Sequence, residues 1–230
     1  MRNPYLILVP LRNTTVNASS VLTAIGKHND VPVYVGAYKP MVRPEIHPPT
    51  KIHGISGLDG TSHLPKPLKV ADRSVPAIDA MAAALSAEPP GTAWLVATGA
   101  CTNIGHLFYK YPALASHIKG LSIMGGAIGG GFAPSVRGKV DGVARIGNWT
   151  QFAEFNILID PEAASSVFDN EILAAKTTLI PLDLTHQVLA TQEVQDLLLY
   201  GPGGEKTGEG RTTLRIMLVE LLMFFAKTYR

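Results

Sequence analysis

The chain has 230 residues, of which 46% are hydrophobic and 17% are charged, so it is long enough to bury a sizeable core. Its formal net charge of +2 excludes the strongly basic balance that is typical of nucleic-acid-binding proteins. The single cysteine, Cys101, excludes an internal disulfide framework and indicates a reducing compartment, which predicts a cytoplasmic location.

Two apolar stretches have a composition that resembles membrane or targeting segments. The run at residues 5–10 is too short for a signal-peptide core or a membrane span. Residues 214–227 are more apolar, but Glu220 interrupts them and they fall short of the ~18 residues that a span needs. We therefore expect a buried core helix there and no association with a membrane.

The predicted strands are continuous apolar runs, which are typical of parallel strands covered on both faces. In chain order they are residues 5–9, 31–35, 93–97, 120–124, 155–159 and 177–181. The predicted helices between them are residues 16–28, 75–87, 102–109, 162–168, 194–200 and 214–228. This alternation predicts an α/β fold, an open and mostly parallel sheet with helices on both faces, in one domain over residues 1–230.

Four of these strands lead directly into polar or glycine-rich sequence, and ligands of open parallel sheets bind beyond the carboxyl ends of the strands. The four segments are "TGACTNIG", "GGAIGGG", "DPEAA" and "LDLTHQ". Thr98, in the first, can offer a carbonyl to a hard cation, although the segment also reads as an ordinary strand–turn–helix junction. The glycines after Met124 lack the following helix and the acidic partner of a dinucleotide site, which disfavours a nicotinamide-dependent enzyme.

Glu154 and Asn156 fall on the same side of the strand predicted at residues 155–159, because strand side chains repeat every two residues. With Asn148 they offer two amides and one carboxylate, a set that suits the vicinal hydroxyls of a sugar. The spacing alone leaves open a simple polar rim on an edge strand. His53 in "HGISGLDG" and His186, with Asp183 as a potential partner, read as solvent-exposed histidines more readily than as functional ones.

The motifs "HGISGLDG", "LVATGACTNIG", "IMGGA", "GNWTQFAEFNILIDPEAA" and "PLDLTHQV" occur here in the order seen in the inosine/uridine-preferring nucleoside hydrolases, which this chain resembles. The long glycine-containing loop before "GNWTQFAEFN" resembles the fungal uridine nucleosidase branch. The resemblance implies a Rossmann-like α/β core and an N-glycosyl hydrolase of nucleoside catabolism, which converts ribonucleosides to free base and ribose. Uridine and purine nucleosidases both fall within this class, and the fungal-like loop favours pyrimidines. The family's dimers and tetramers imply a homo-oligomer.

The resemblance also implies site residues and a cofactor. Calcium would hold the ribose diol and the attacking water, and Thr98 would give the ion a backbone carbonyl. Asn148, Glu154 and Asn156 would contact the ribose hydroxyls. Met124 would line the ribose pocket, and His53 would lie near the base. These substrate-binding residues are His53, Met124, Asn148, Glu154 and Asn156.

The chain departs from the family pattern at both ends. The family's D-x-D-P-G-x-D-D motif, which supplies the base and most calcium ligands, is absent, since no two aspartates lie within four residues of each other. The family's late histidine is absent too, because no histidine follows His186. We therefore expect a family domain truncated at both ends, with its catalytic residues unknown, that binds calcium weakly and turns over nucleosides poorly. The alternative function is a catalytically inactive member that binds ribose or nucleoside.

Overall fold

The computed structural model describes residues 11–44, 52–134, 138–202 and 210–228. The chain divides into two compact units, of which unit 1 comprises Met1–Val35, His47–Ser74 and Leu189–Arg230. Unit 2 comprises Gly36–Ile46 and Val75–Val188. The strand predicted at residues 5–9 lies outside the described residues, and a single domain over residues 1–230 stays a prediction.

The secondary structure of the described residues alternates between helices and short strands. In chain order the helices are α1 (Leu11–Ala24), α2 (Ala77–Ala87), α3 (Thr102–Lys110), α4 (Leu114–His117), α5 (Phe155–Ile159), α6 (Pro161–Phe168), α7 (Glu171–Ala174), α8 (Leu182–Thr185), α9 (Gln192–Tyr200) and α10 (Thr213–Thr228). The strands are β1 (Trp94–Ala97), β2 (Gly120–Met124), β3 (Lys139–Val140), β4 (Val143–Ala144) and β5 (Thr177–Ile180).

Unit 2 is built on a parallel sheet with the strand order β1-β2-β5. The register pairs Ala97 with Ile123 and Ile123 with Leu179, so the carboxyl ends of the three strands lie at one edge of the sheet. β3 and β4 form a separate antiparallel hairpin. The parallel sheet with surrounding helices confirms the predicted α/β fold.

The core of unit 2 lies where α3 and α6 pack, together with the central strand β2. Leu121 and Ile123 of β2 and Leu107 of α3 are completely buried. A Cβ at Gly105 would lie only 3.1 Å from the Cβ of Ala163, so the absence of a side chain there lets α3 approach α6 closely. This packing fixes the ends of β1 and β2, from which the site loops extend.

Two predicted strands are wrong. Residues 155–159 form the helix α5, because Glu154 adopts an N-cap conformation and its carboxylate accepts the amides of Asn156 and Ile157. Residues 31–35 form only an isolated bridge between Tyr34 and Asp72. Strands are confirmed near residues 93–97, 120–124 and 177–181, and all six predicted helices are present with shifted ends.

Unit 1 contains α1, α9 and α10. Arg215 of α10 donates to the carbonyls of Leu197 and Leu198, at 3.2 and 2.8 Å, and so caps the end of α9. Met217 of α10 is 1% exposed, but Leu218 and Phe225 of the same helix are 39% and 37% exposed, so the helix predicted here is present and only partly buried. Among the helices of the described segments, none is long and apolar enough to cross a membrane.

Candidate functional site

A compact turn brings Asn148 to the start of α5. The amide of Trp149 donates to the carbonyl of Ala153 at 3.2 Å, and the Asn148 Oδ1 accepts the amide of Phe155 at 2.9 Å. A Cβ at Gly147 would overlap the carbonyl group of Ala153, so this turn requires glycine there. Asn148 and Glu154 are therefore held on adjoining ends of the same turn.

Glu154 is a buried carboxylate, 3% exposed, that accepts three backbone N–H groups. Its Oε1 accepts from Asn156 at 3.0 Å, and its Oε2 accepts from Ile157 at 3.1 Å and from Gly126 at 2.9 Å. The first two bonds cap α5, and the third reaches the loop that follows β2. A carboxylate has about four acceptor directions, so these bonds leave about one for a ligand hydroxyl.

Asn156 is tied to the end of β2. Its Nδ2 donates to the carbonyl of Met124 at 3.2 Å and lies 3.3 Å from the Met124 sulfur. The structure thus brings together four of the five predicted substrate-binding residues, namely Met124, Asn148, Glu154 and Asn156. The sequence predicted that strand alternation would place Glu154 and Asn156 side by side. In the structure the N-cap of α5 brings these two residues together instead.

The glycine loop after β2, defined as residues 125–129, is anchored to the segment that follows β5. The amide of Gly125 donates to the carbonyl of Ile180 at 3.2 Å, and the carbonyl of Gly126 accepts the amide of Leu182 at 2.9 Å. Gly126 has a φ of +76°, which favours glycine over other residues. The loop is therefore shaped by contacts with residues distant in the sequence.

Asp183, in α8, is a carboxylate that binds this loop and that the sequence did not identify as part of the site. It is 1% exposed, and it accepts the amides of Ile128 at 2.7 Å and Gly129 at 3.0 Å. From the sequence, Asp183 was expected only as a partner of His186. Its position three residues after the end of β5, at the edge of the sheet where the other site residues gather, is the pattern that could have identified it.

Asp160 joins three segments of unit 2 beneath the site. It is completely buried and accepts the amide of Met41 at 2.9 Å, the hydroxyl of Thr102 at 2.6 Å and the amide of Ala163 at 3.1 Å. Burial, together with the smaller effect of the negative charges of Asp160 and Glu154, raises the pKa of the Cys101 thiol to about 11. Cys101 therefore stays a neutral thiol and is no candidate nucleophile.

The two remaining predicted residues are Thr98 in unit 2 and His53 in unit 1. Thr98 is exposed and directly follows β1, at the sheet edge where β2 also ends. His53 belongs to unit 1, where its ring stacks on that of Phe225 with the centroids 5.6 Å apart. His53 is exposed, and partial desolvation of its ring lowers its pKa, which favours the neutral imidazole. The roles of Thr98 as a metal ligand and of His53 near the base stay predictions.

The described residues do not fit a complete calcium site. Within residues 11–44, 52–134, 138–202 and 210–228, no three His, Cys, Asp or Glu side chains group together as metal ligands would. Calcium takes six to eight oxygen ligands, whereas the buried carboxylates of Glu154, Asp160 and Asp183 already accept backbone or hydroxyl hydrogens. The Thr98 carbonyl is one candidate ligand and does not make a site.

Comparison with known proteins identifies relatives over nearly the whole chain. The chain is 39% identical over 223 residues to the uridine nucleosidase of Saccharomyces cerevisiae, a match that covers 96% of this chain and 58% of the yeast protein. It is 35% identical over 218 residues to the pyrimidine-specific ribonucleoside hydrolase RihA of Salmonella arizonae, covering 94% and 59% of the two chains. The chain thus spans less than two thirds of the length of these curated relatives.

Solved structures agree with the sequence matches. A plant nucleoside hydrolase superimposes with a TM-score of 0.74 at 25% identity, over 96% of this chain and 60% of the plant protein. A purine-preferring ribonucleoside hydrolase from Gardnerella vaginalis gives a TM-score of 0.72 at 25% identity, over 95% and 60%. The family model described as "Inosine-uridine preferring nucleoside hydrolase" matches residues 8–230. The chain belongs to the inosine-uridine preferring nucleoside hydrolase family.

Proposed function

We propose that this protein hydrolyses the N-glycosidic bond of ribonucleosides to free base and ribose, and that unit 2 supplies the ribose-binding side chains. The observation that carries the proposal is the convergence of Met124, Asn148, Glu154 and Asn156 at the carboxyl end of β2. Sugar hydroxyls need both donors and acceptors, and this group offers a carboxylate and two amides on a preformed turn.

Glu154 has the chemistry that the cleavage step requires. Positive charge develops on the sugar ring when a glycosidic bond breaks, as in other glycoside hydrolyses. A carboxylate held by three backbone N–H groups stabilises that charge without reorganising, and its burial strengthens the interaction. In this proposal Glu154, Asn148 and Asn156 bind and orient the ribose, and no described residue is assigned the role of the base that activates water.

The substrate proposal extends to the nucleobase. Pyrimidine ribonucleosides are the preferred substrates in this proposal, supported by the uridine and pyrimidine names of two curated relatives. The purine preference in the name of a solved relative makes inosine the necessary comparison. His53 is proposed, on the family resemblance alone, to contact the nucleobase.

The proposal also includes a cofactor, a cellular location and an oligomeric state. Calcium is the proposed cofactor on the family resemblance, with Thr98 as one ligand, and no step above depends on the ion. A cytoplasmic location is proposed on the single, buried cysteine, Cys101. A homo-oligomer is proposed on the family resemblance alone.

The test is to measure uridine binding and ribose release with the purified 230-residue chain. Calorimetry gives the dissociation constants for uridine and inosine, and a reducing-sugar assay with added calcium gives ribose release. The matched variants are Glu154→Gln at the site and Asp169→Asn at an exposed position of the same unit. We expect uridine to bind, release of ribose to be slow but measurable, and both to be lost only in Glu154→Gln.

The outcomes separate hydrolysis from the alternative. Ribose release that exceeds the Glu154→Gln background supports a hydrolase, which the names of the relatives favour. Uridine binding with no release over that background would select the inactive, nucleoside-binding alternative. Absence of binding would contradict both functions.

A further inference from the structure

We propose that Asp183 is a positioning residue for the ribose-binding side chains, which it controls through the glycine loop and without touching the nucleoside. The inference rests on the proposed function, since it deepens the account of the same site. It starts from a buried carboxylate whose two oxygens each accept one amide of this loop, 2.7 Å from Ile128 N and 3.0 Å from Gly129 N.

The glycine loop has little conformational preference of its own. Gly126 and Gly129 both have positive φ values, +76° and +67°, in a region where glycine moves freely. Hydrogen bonds from outside the loop therefore decide its conformation. Asp183 fixes the far end of the loop, and Leu182 fixes the near end through the Gly126 carbonyl.

The near end of the loop holds the site side chains. The amide of Gly126 donates to the Glu154 Oε2 at 2.9 Å, and the Met124 carbonyl just before the loop accepts the Asn156 Nδ2 at 3.2 Å. A continuous series of contacts thus runs from Asp183 through the loop to Glu154 and Asn156. Movement of the loop would redirect the free acceptor direction of Glu154 and the amide of Asn156.

Asp183→Asn is the sharpest substitution because it keeps the side-chain shape. The new amide group has one acceptor oxygen, so one of the two loop N–H groups faces an N–H₂ instead of an acceptor. Asp169→Asn is the matched control, an exposed aspartate of unit 2 whose carboxylate accepts the Ser165 hydroxyl. Asp183→Glu keeps the charge and displaces it by one methylene, which gives a second variant if Asp183→Asn does not fold.

The measurement is the amide spectrum of the ¹⁵N-labelled 230-residue chain and its variants. We expect Asp183→Asn to shift the resonances of Ile128 and Gly129 and also those of the Gly126 amide and the Asn156 side-chain amide. Core amides such as that of Leu107 stay in place, which a general rearrangement of unit 2 would not allow. Asp169→Asn moves none of the four. Shifts that stop at Ile128 and Gly129, in whichever Asp183 variant folds, would overturn the proposal.

Uridine binding gives the second readout. We expect Asp183→Asn to raise the uridine dissociation constant by about tenfold, and Asp169→Asn to leave it unchanged. An unchanged constant in Asp183→Asn would also overturn the positioning role. If the unmodified chain binds no uridine, the proposed function fails, and the resonances of Gly126 and Asn156 still decide whether Asp183 controls their positions.

Discussion

Two loops of this protein are shaped by carboxylates that accept backbone N–H groups. The loops differ in how far apart in the sequence the bonded residues lie. In unit 1, Asp59 accepts the amides of Ile55 at 2.9 Å and Ser56 at 3.1 Å, both within four positions along the chain. In unit 2, Glu154 and Asp183 hold the glycine loop across 28 and 55 positions. The loop of unit 1 has a locally encoded shape, whereas the glycine loop takes its shape only when the sheet is assembled.

The burial of the carboxylates follows the same division. Glu154 and Asp183 are 3% and 1% exposed, and Asp59 is only partly buried. An unsatisfied donor costs more when water cannot reach it, so the long-range bonds carry more stability than the local ones. The proposed ribose site is therefore the region of the two in which a substitution has the larger effect.

The largest effect is expected for Glu154→Ala. This change removes the cap of α5 and leaves the amides of Gly126, Asn156 and Ile157 without their acceptor. We expect the free energy of unfolding to fall by about 3 kcal/mol, against about 1 kcal/mol for Asp59→Ala. Urea denaturation followed by circular dichroism measures both, and equal losses would contradict the distinction between the loops.

An intermediate effect is expected for Gly129→Ala, with Gly130→Ala as its matched control. Both glycines have positive φ, +67° and +61°, but an added Cβ meets the Ile146 side chain at 2.7 Å only in the first case. We expect Gly130→Ala to lower the free energy of unfolding by about 1 kcal/mol from backbone strain, and Gly129→Ala by about 2–3 kcal/mol. Similar denaturation midpoints for the two variants would show that the loop is not held against Ile146.

The smallest effect is expected for Asp59→Asn, and it depends on pH. The Ser56 hydroxyl, which donates to the carboxylate, holds the pKa of Asp59 below its ordinary value in the folded chain. A depressed pKa stabilises the fold above the unfolded value of about 3.9, and that contribution disappears as the pH falls through the folded value. The two proteins should differ by about 1 kcal/mol at pH 7 and converge below about pH 4.

Ser56→Ala provides the control for this titration. Without the hydroxyl, the pKa of Asp59 moves back toward its ordinary value, so the difference from Asp59→Asn should shrink and lose most of its pH dependence. Thermal denaturation between pH 3 and pH 7 measures the series. A difference that stays constant across this range would show that the carboxylate does not titrate in its bonded state.

The sequence predicted the three strands of the described parallel sheet correctly, but it wrongly predicted strands at residues 31–35 and 155–159. Continuous apolar runs such as residues 120–124 become buried parallel strands because their side chains face the core on assembly. Residues 155–159 look the same by composition, but the carboxylate of Glu154 satisfies the first amides and starts a helix. A local side-chain cap therefore outweighed the apolar pattern.

The site residues could be predicted from a motif, but the residues that hold them in position could not. Met124, Asn148, Glu154 and Asn156 were predicted from a family resemblance, and the structure brings them together near the end of β2 and the start of α5. Asp160 is the N-cap of α6, a local role, but its bond to the amide of Met41 spans 119 positions. Contacts of that length depend on how the strands and helices pack, and no local pattern in the sequence encodes them.

The most direct test of the ribose site is a titration of the ¹⁵N-labelled chain with ribose and with uridine. The resonances to follow are the Gly126 amide, which donates to the Glu154 carboxylate, and the Asn156 side-chain amide, which donates to the Met124 carbonyl. We predict that both shift and saturate with either ligand, and that Glu154→Gln abolishes the shifts. Resonances that stay fixed as ribose is added, or shifts that persist in Glu154→Gln, would contradict a ribose site at this carboxylate.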